Sequence, residues 1–322
     1  MRVGTFSKGK IAMQKLDQKK GFKKMLLENR VLLLLLLPAV AYVIIFSYIP
    51  MSGIVLAFKN FNYRDGIFGS PWNGFDNFRY FLISGKLWPL TRNTILYNAA
   101  FIVTGIIFEV SGAVFLNEII HKRFKKVCQS MMLLPYFLSW VIVSSIMINM
   151  FGYEKGVLNN ILTLMGLPRV DIYESATRWP IVMILLRAWK NTGYGLIIYL
   201  SAITNIDQQM YEAADIDGAG IWRKVWSITL PSLRSTIVIM FLLAMGQLFR
   251  GDFGMFYQIV KNNQVLLQTS DIIDTFVYRS LITSPDIGMA AAAGLYQSVM
   301  CFFAVMLANF VVKKVEPNYS LF

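Results

Sequence analysis

Six apolar runs separated by polar, charge-bearing segments predict an all-α polytopic membrane protein with six transmembrane helices. Three observations predict that class. A mean hydropathy of +0.53 with 56% hydrophobic residues is greasier than an ordinary soluble domain. The apolar runs are each about 20 residues long, which matches the thickness of a bilayer core. Lysine and arginine gather on alternate connecting segments, as the positive-inside rule requires. A chain of 322 residues would otherwise suggest two soluble domains, but the repeated runs override that prior.

The elements follow in chain order. Residues 1–30 hold nine cations against Asp17 and Glu28. They are expected to form a cytoplasmic basic tail, with an interfacial helix near Phe22 to Leu27. Residues 31–322 then form the six-helix domain. The run Val31 to Phe58 is too long for the apolar region of a signal peptide and lacks a clear cleavage site. It is the first expected span, with Pro38 and Pro50 as kink sites. Residues 59–91 carry Gly66, Gly69, Pro71, Trp72 and Gly74, which is loop chemistry, with a short amphipathic helix from Phe78 to Leu82. Further spans are expected over Asn93–Leu116, Ser130–Phe151, Pro180–Ile203, Ser232–Phe249 and Ile287–Val312. The dense small residues Gly288, Ala290, Ala291, Ala292, Ala293 and Gly294 predict close helix packing in the last span.

Charge orients this arrangement. The segments 1–30, 117–129, 204–234 and 313–322 together carry 18 cations, and the alternate segments carry 11 over a greater length. Both termini and the 204–231 loop are therefore expected inside. The net charge of +13 is topological and lipid-facing, so it requires no nucleic acid. Cys128 and Cys301 lack the spacing of a disulfide framework or metal site. His121, the single histidine, lies in a basic loop and reads as a solvated residue.

A polar island lies between the fourth and fifth runs, from Tyr211 to Pro231. Asp207 is suited to cap a helix starting at Gln208. Gly218 is suited to end it in a left-handed turn. A second helix, Ile221 to Thr229, would place Ile221, Val225 and Ile228 on one face, with Pro231 closing it. The result is a helix-turn-helix knuckle whose Glu212, Ala213 and Ala214 offer one charge on a flat surface.

Glu212-Ala213-Ala214, followed by Asp217, Gly218 and Ala219 and then by Ile228, Leu230 and Pro231, resembles the EAA coupling loop of ABC importer permeases. Leu134-Pro135-Tyr136-Phe137-Leu138-Ser139-Trp140, Gly294-Leu295-Tyr296-Gln297-Ser298-Val299 and Ala308-Asn309 resemble the maltose-type sugar branch, in its polysaccharide-type subgroup. Tyr48-Ile49-Pro50-Met51 and Ala57-Phe58-Lys59 resemble it too. The resemblance implies a type I permease fold in the plasma membrane, paired with a second homologous permease subunit as a heterodimer. It also implies two copies of a cytosolic ATPase docked on the coupling loop, and an extracellular, lipid-anchored solute-binding protein. The implied cargo is an acidic, pectin-derived oligosaccharide of rhamnogalacturonan type. The chain has no G-x-x-x-x-G-K-[ST] loop, so ATP and magnesium are expected in the partner ATPase and no cofactor in this chain.

Charged residues deep in a span usually face a cavity or a partner. Arg187, Lys190, Asn191 and Tyr194 recur at i, i+3, i+4 and i+7 and share one stripe, with Trp189 beside it. Tyr136 and Trp140 are expected to share a helix face at i, i+4. Gln247 and Arg250 approach the outer end of the fifth span. These stretches correspond to sugar-contacting stretches of the maltose-type permeases it resembles. Aromatic faces stack on sugar rings, and cations or amides bind hydroxyls and carboxylates. The structural alternative pairs Arg187 and Lys190 with Glu109, which is placed nearer the inner end of the second span at a different depth.

Two other functions compete with sugar import. One is a permease for another solute, such as a neutral sugar, peptide or amino acid. The other is a membrane enzyme. The chain has no H-E-x-x-H, no G-x-S-x-G and no paired intramembrane aspartates, so acid–base or metal chemistry has few players.

Overall fold

The computed structural model describes residues 29–83, 85–283 and 286–315. Most of the expected basic tail, with the interfacial helix near Phe22 to Leu27, lies outside the described residues. Five helices are long and apolar enough to span a membrane, and a bent pair supplies a sixth if it is one span. Among the described residues the only extended pairing is a single bridge between Lys59 and Trp72.

The chain divides at Val55 into two units. The first contains α1 (Arg30–Val43), a π turn (Ile44–Tyr48) and the start of a 3-10 stretch (Ile49–Phe58). Helix α1 continues through Pro38. The winding changes six residues later, at Ile44.

The second unit begins with α2 (Asp76–Ile83), which matches the amphipathic helix expected there. It continues with α3 (Leu87–Asn117), α4 (Lys122–Leu133), α5 (Trp140–Phe151), α6 (Val157–Leu164) and α7 (Trp179–Thr204). Helices α3 and α7 are its central pair. Val110, Ala113 and Leu116 of α3 meet Leu196, Tyr199, Leu200 and Ile203 of α7 in one buried cluster. A second cluster joins Tyr97 and Phe101 of α3 to Trp179 and Met183 of α7.

The third expected span is not one straight helix. Helices α4 and α5 are bent by 98° across a 3-10 turn, Leu134–Phe137. The sequence dictates the break. Pro135 has no N–H to continue the ladder. Leu138 and Ser139 are extended, and Ser139 Oγ restarts the helix by accepting the Ile142 N–H. Tyr136 and Trp140 therefore do not share a helix face as expected.

After α7 come α8 (Gln208–Ile216) and α9 (Ile221–Lys224). Helix α9 runs through a π turn (Val225–Thr229) directly into α10 (Leu230–Met245). The fifth span thus extends over Ile221–Met245, and Pro231 does not close a helix as expected. The wide π turn precedes the proline and leaves room for its ring. Ser232 Oγ donates to the Ile228 carbonyl at 2.7 Å, satisfying an acceptor there. Three short helices follow, α11 (Phe253–Val260), α12 (Gln264–Ser270) and α13 (Ile273–Thr283). The last span is α14 (Ile287–Val315), started by Asp286 Oδ1 accepting the Met289 N–H. Ala292 and Ala293 are fully buried, as their small size suggested, whereas Gly294 meets open space.

Candidate functional site

The knuckle forms where the sequence places it. Asp207 accepts the Gln209 N–H at 2.9 Å and caps α8. At the other end Ala219 N–H donates to the Ala214 carbonyl (2.9 Å) and Gly218 N–H to the Asp215 carbonyl (3.1 Å). Gly218 sits at φ +71°, where a side chain would be strained. These bonds together are a Schellman turn, and they assign Ala214 and Ala219 to its two packed positions. Two cross-links tie the arms: Tyr211 Oη to Thr229 Oγ1 (2.9 Å), and Lys224 Nζ to Asp215 Oδ1 (2.7 Å).

What the knuckle exposes is apolar as well as charged. Glu212, Ala213, Asp217 and Gly218 are exposed, and beside them Ile216 is 88% and Trp222 is 68% exposed. Val225 and Ile228 are buried, whereas Ile221, one α-helical turn before Val225, is exposed at the start of α9. Leu230 is half-buried and Pro231 exposed at the entry to α10.

A second group assembles around the middle of α7. Its precondition is a close approach at Gly193. A Cβ there would meet the Met132 carbonyl and the Leu133 backbone, so only glycine lets α7 reach the break after α4. Lys190, one turn away, then donates from Nζ to the Tyr136 carbonyl at 2.8 Å. The same ammonium lies 5.4 Å from the Tyr136 ring centre and 5.1 Å from that of Trp140. Tyr136 stacks on Tyr194 at 4.7 Å and 13°, and both rings are exposed. Sequence spacing grouped these residues correctly, although the bend, not a shared helix face, brings Tyr136 and Trp140 together.

Arg187, one turn before Lys190 on the same helix, has its own acid. It pairs with Asp252 Oδ2 at 2.8 Å, and its guanidinium lies 4.6 Å from the Phe101 ring centre. Arg187 and Asn191 line a cavity of about 230 Å³ between α3, α7 and α10, with Phe101, Glu109, Tyr199 and Gln247. Glu109 borders the same cavity as Arg187 but lies against Gly195, about two turns further along α7, in keeping with the expected difference in depth. The acid on Arg187 is nonetheless Asp252, not Glu109. Trp189 is not part of this group. It is exposed and lines a separate apolar cavity with Phe108, Met131 and Pro135.

Gln247 and Arg250 lie beyond the end of α10, in a linker that long-range bonds hold. Asn98 Nδ2 of α3 donates to the Leu248 and Arg250 carbonyls (3.0 and 2.9 Å). Gln297 Nε2 of α14 donates to the Phe249 carbonyl and to Asp274 Oδ2 (3.1 and 3.0 Å). Asp274 Oδ2 also accepts the Gly251 N–H at 2.7 Å. Burial pushes the Asp274 carboxyl above its ordinary range, against the pull of those bonds. Asp252 Oδ1 closes the series by capping α11 at the Met255 N–H (3.1 Å). Sequence reasoning missed Asn98, Asp252, Asp274 and Gln297 as a group. The available signal was polar side chains inside or just beyond apolar runs.

Residues 101–317 match the family described as binding-protein-dependent transport system inner membrane component. Protein LplB of Bacillus subtilis is 33% identical over 89% of this chain and 90% of its own length. The polygalacturonan/rhamnogalacturonan transport system permease protein YteP of the same organism is 32% identical over 93% of each chain. Among solved structures, a bacterial alginate ABC transporter in complex with alginate pentasaccharide-bound periplasmic protein superposes with a TM-score of 0.82. It is 28% identical, over 92% of this chain and 98% of that one.

Proposed function

From the premise that this chain belongs to the binding-protein-dependent transport system inner membrane component family, we propose that it carries acidic oligosaccharides through a passage bordered by Lys190, Tyr136, Trp140 and Tyr194. The chain is the membrane-spanning permease subunit of an ABC importer and not an enzyme. Relatives named for polygalacturonan/rhamnogalacturonan transport, and a solved transporter that imports the acidic polysaccharide alginate, support the cargo class.

The observation that carries this reading is the setting of Lys190. Its ammonium rests on a carbonyl and two aromatic faces, next to an exposed tyrosine stack. Aromatic faces suit sugar rings, and the cation suits a uronate, whose charge-assisted bonds are roughly twice as strong as neutral ones. Lys190 is buried, at 7% exposure, so the exposed Tyr136–Tyr194 stack is what cargo meets first and the Lys190 charge acts from beneath it. On the inner side, the exposed surface of Glu212, Ala213 and Ile216 is the docking face for a cytosolic ATPase that supplies ATP and magnesium. A second permease subunit completes the passage, and a solute-binding protein delivers cargo from outside. Both termini lie in the cytoplasm.

The test is uptake of an acidic and a neutral oligosaccharide of equal length by Lys190→Gln, with protein level checked. Acidic uptake is expected to fall roughly tenfold, the scale of one charge-assisted hydrogen bond, with neutral uptake preserved. Equal loss of both cargoes removes the acidic reading and leaves the group as general sugar contacts.

A further inference from the structure

We propose that Asp252 is a positioning residue that holds Arg187 in reserve, and that the carboxylate of an acidic sugar displaces it from the guanidinium. The inference rests on the acidic-cargo reading above and adds a residue and a signal to it. Both partners of the pair remain reachable, with side chains 29% and 25% exposed, and Arg187 also borders the cavity. At about 230 Å³ that cavity is smaller than the roughly 300–1,000 Å³ of a drug-sized ligand site, so it admits a ring edge and not an oligosaccharide. A uronate entering there presents the same functional group that already occupies Arg187. Exchange of one carboxylate for another keeps the guanidinium paired throughout, so no bare buried charge arises.

Displacement matters because of where Asp252 sits. It caps α11 and ends the linker that Asn98, Asp274 and Gln297 hold by its backbone. That linker joins the outer end of α10. The inner end of the same helical run, Ile221–Met245, is continuous with the knuckle. One helical run, extended by the held linker 246–252, therefore connects the Arg187–Asp252 pair to the surface proposed to dock the ATPase. Loss of the pair loosens the outer anchor of that run, which lets cargo in the cavity bias the knuckle.

The experiment uses the assembled transporter in vesicles, with a galacturonate trisaccharide and a neutral galactan trisaccharide. KM for each, and ATP hydrolysis without cargo, are compared for the wild type, Asp252→Asn and Asp252→Ser. Serine keeps a capping oxygen for α11 while removing the charge. Both variants are expected to lower KM for the galacturonate roughly tenfold, since the resident competitor is gone. The neutral KM is expected to stay unchanged and cargo-independent hydrolysis to rise. Equal changes for both sugars, no change in either KM or hydrolysis, or failure of both variants to accumulate would each overturn the proposal and leave the pair as scaffold. If the wild type imports only the neutral sugar, the acidic-cargo reading fails by itself. The hydrolysis measurement then still decides whether the pair restrains the run.

Discussion

The inner knuckle and the outer linker around Asp252 are both polar features at the ends of the same helical run, and they are built in opposite ways. The knuckle is local. Its cap at Asp207, its Schellman turn at Gly218 and its cross-link between Tyr211 and Thr229 involve residues at most 18 apart in sequence. The linker is assembled from afar. Asn98 reaches it across 150 residues and Gln297 across 48. A surface that must dock a partner is thus preformed by its own segment and presents unburdened side chains. A joint that must respond to several helices is held by one polar contact from each. The first can be altered with little effect on the fold, whereas the second couples folding and function.

The sharpest contrast comes from the knuckle. Glu212→Lys and Gly218→Leu are each expected to abolish uptake while leaving the protein in the membrane at normal level. Charge reversal at Glu212 turns an attraction toward the ATPase into repulsion. Leucine at Gly218 must adopt a left-handed backbone at a cost of about 1–2 kcal/mol, which reshapes the turn but not the spans. Uptake and membrane content measured together check this. Normal uptake in both variants would show that the knuckle is not the docking face.

The interior should respond in the reverse way. Gly193→Val places methyls against the Met132 carbonyl and the Leu133 backbone, which cannot move aside as a flexible side chain would. Overpacking of this kind costs about 1–3 kcal/mol. Membrane content and melting temperature are expected to drop before any specific transport defect appears. A stable Gly193→Val protein with Lys190 still on Tyr136 would mean that α7 does not need this approach.

The same contrast explains how much was legible in the sequence. The spans were readable because hydropathy is a property of contiguous residues. The knuckle was readable because Asp, Gly and Pro act on their immediate neighbours. Even so, the π turn before Pro231 was missed, since nothing local distinguishes a widened turn that tolerates proline from a helix end. The bend at Pro135 was missed for a related reason: an apolar run of adequate length looks like one span whether or not it is straight. Asp252 was visible as a charge near the outer end of the fifth span, but its partner lies 65 residues away. Helical spacing orders residues within α7 and says nothing about which loop folds over it. Lys190, Tyr136 and Trp140 were singled out from helical spacing and from the resemblance to maltose-type sugar permeases, and only the helix face expected to be shared by Tyr136 and Trp140 was wrong.

The smallest expected effect tests the linker without touching Arg187. Asp274 accepts from Gly251 and Gln297 through one oxygen, Oδ2, and is buried enough that its carboxyl is raised above the ordinary value of 3.8. An acid whose folded pKa is raised favours the folded state when protonated. Its contribution is fully present below the unfolded pKa and is lost as pH rises through the higher folded one. Asp274→Asn keeps a carbonyl oxygen for both donors and removes the ionisation. At low pH the two proteins should melt together, because protonated aspartate and asparagine have similar shape and acceptors. As pH rises toward neutrality the wild type must hold a charged carboxylate in its buried site, and the variant need not. The melting temperature of Asp274→Asn is therefore expected to rise relative to wild type by on the order of 1–2 °C, with uptake retained. A variant that instead becomes less stable as pH rises would show that the Gly251 and Gln297 bonds favour the charged form outright, making Asp274 an anionic anchor of the linker.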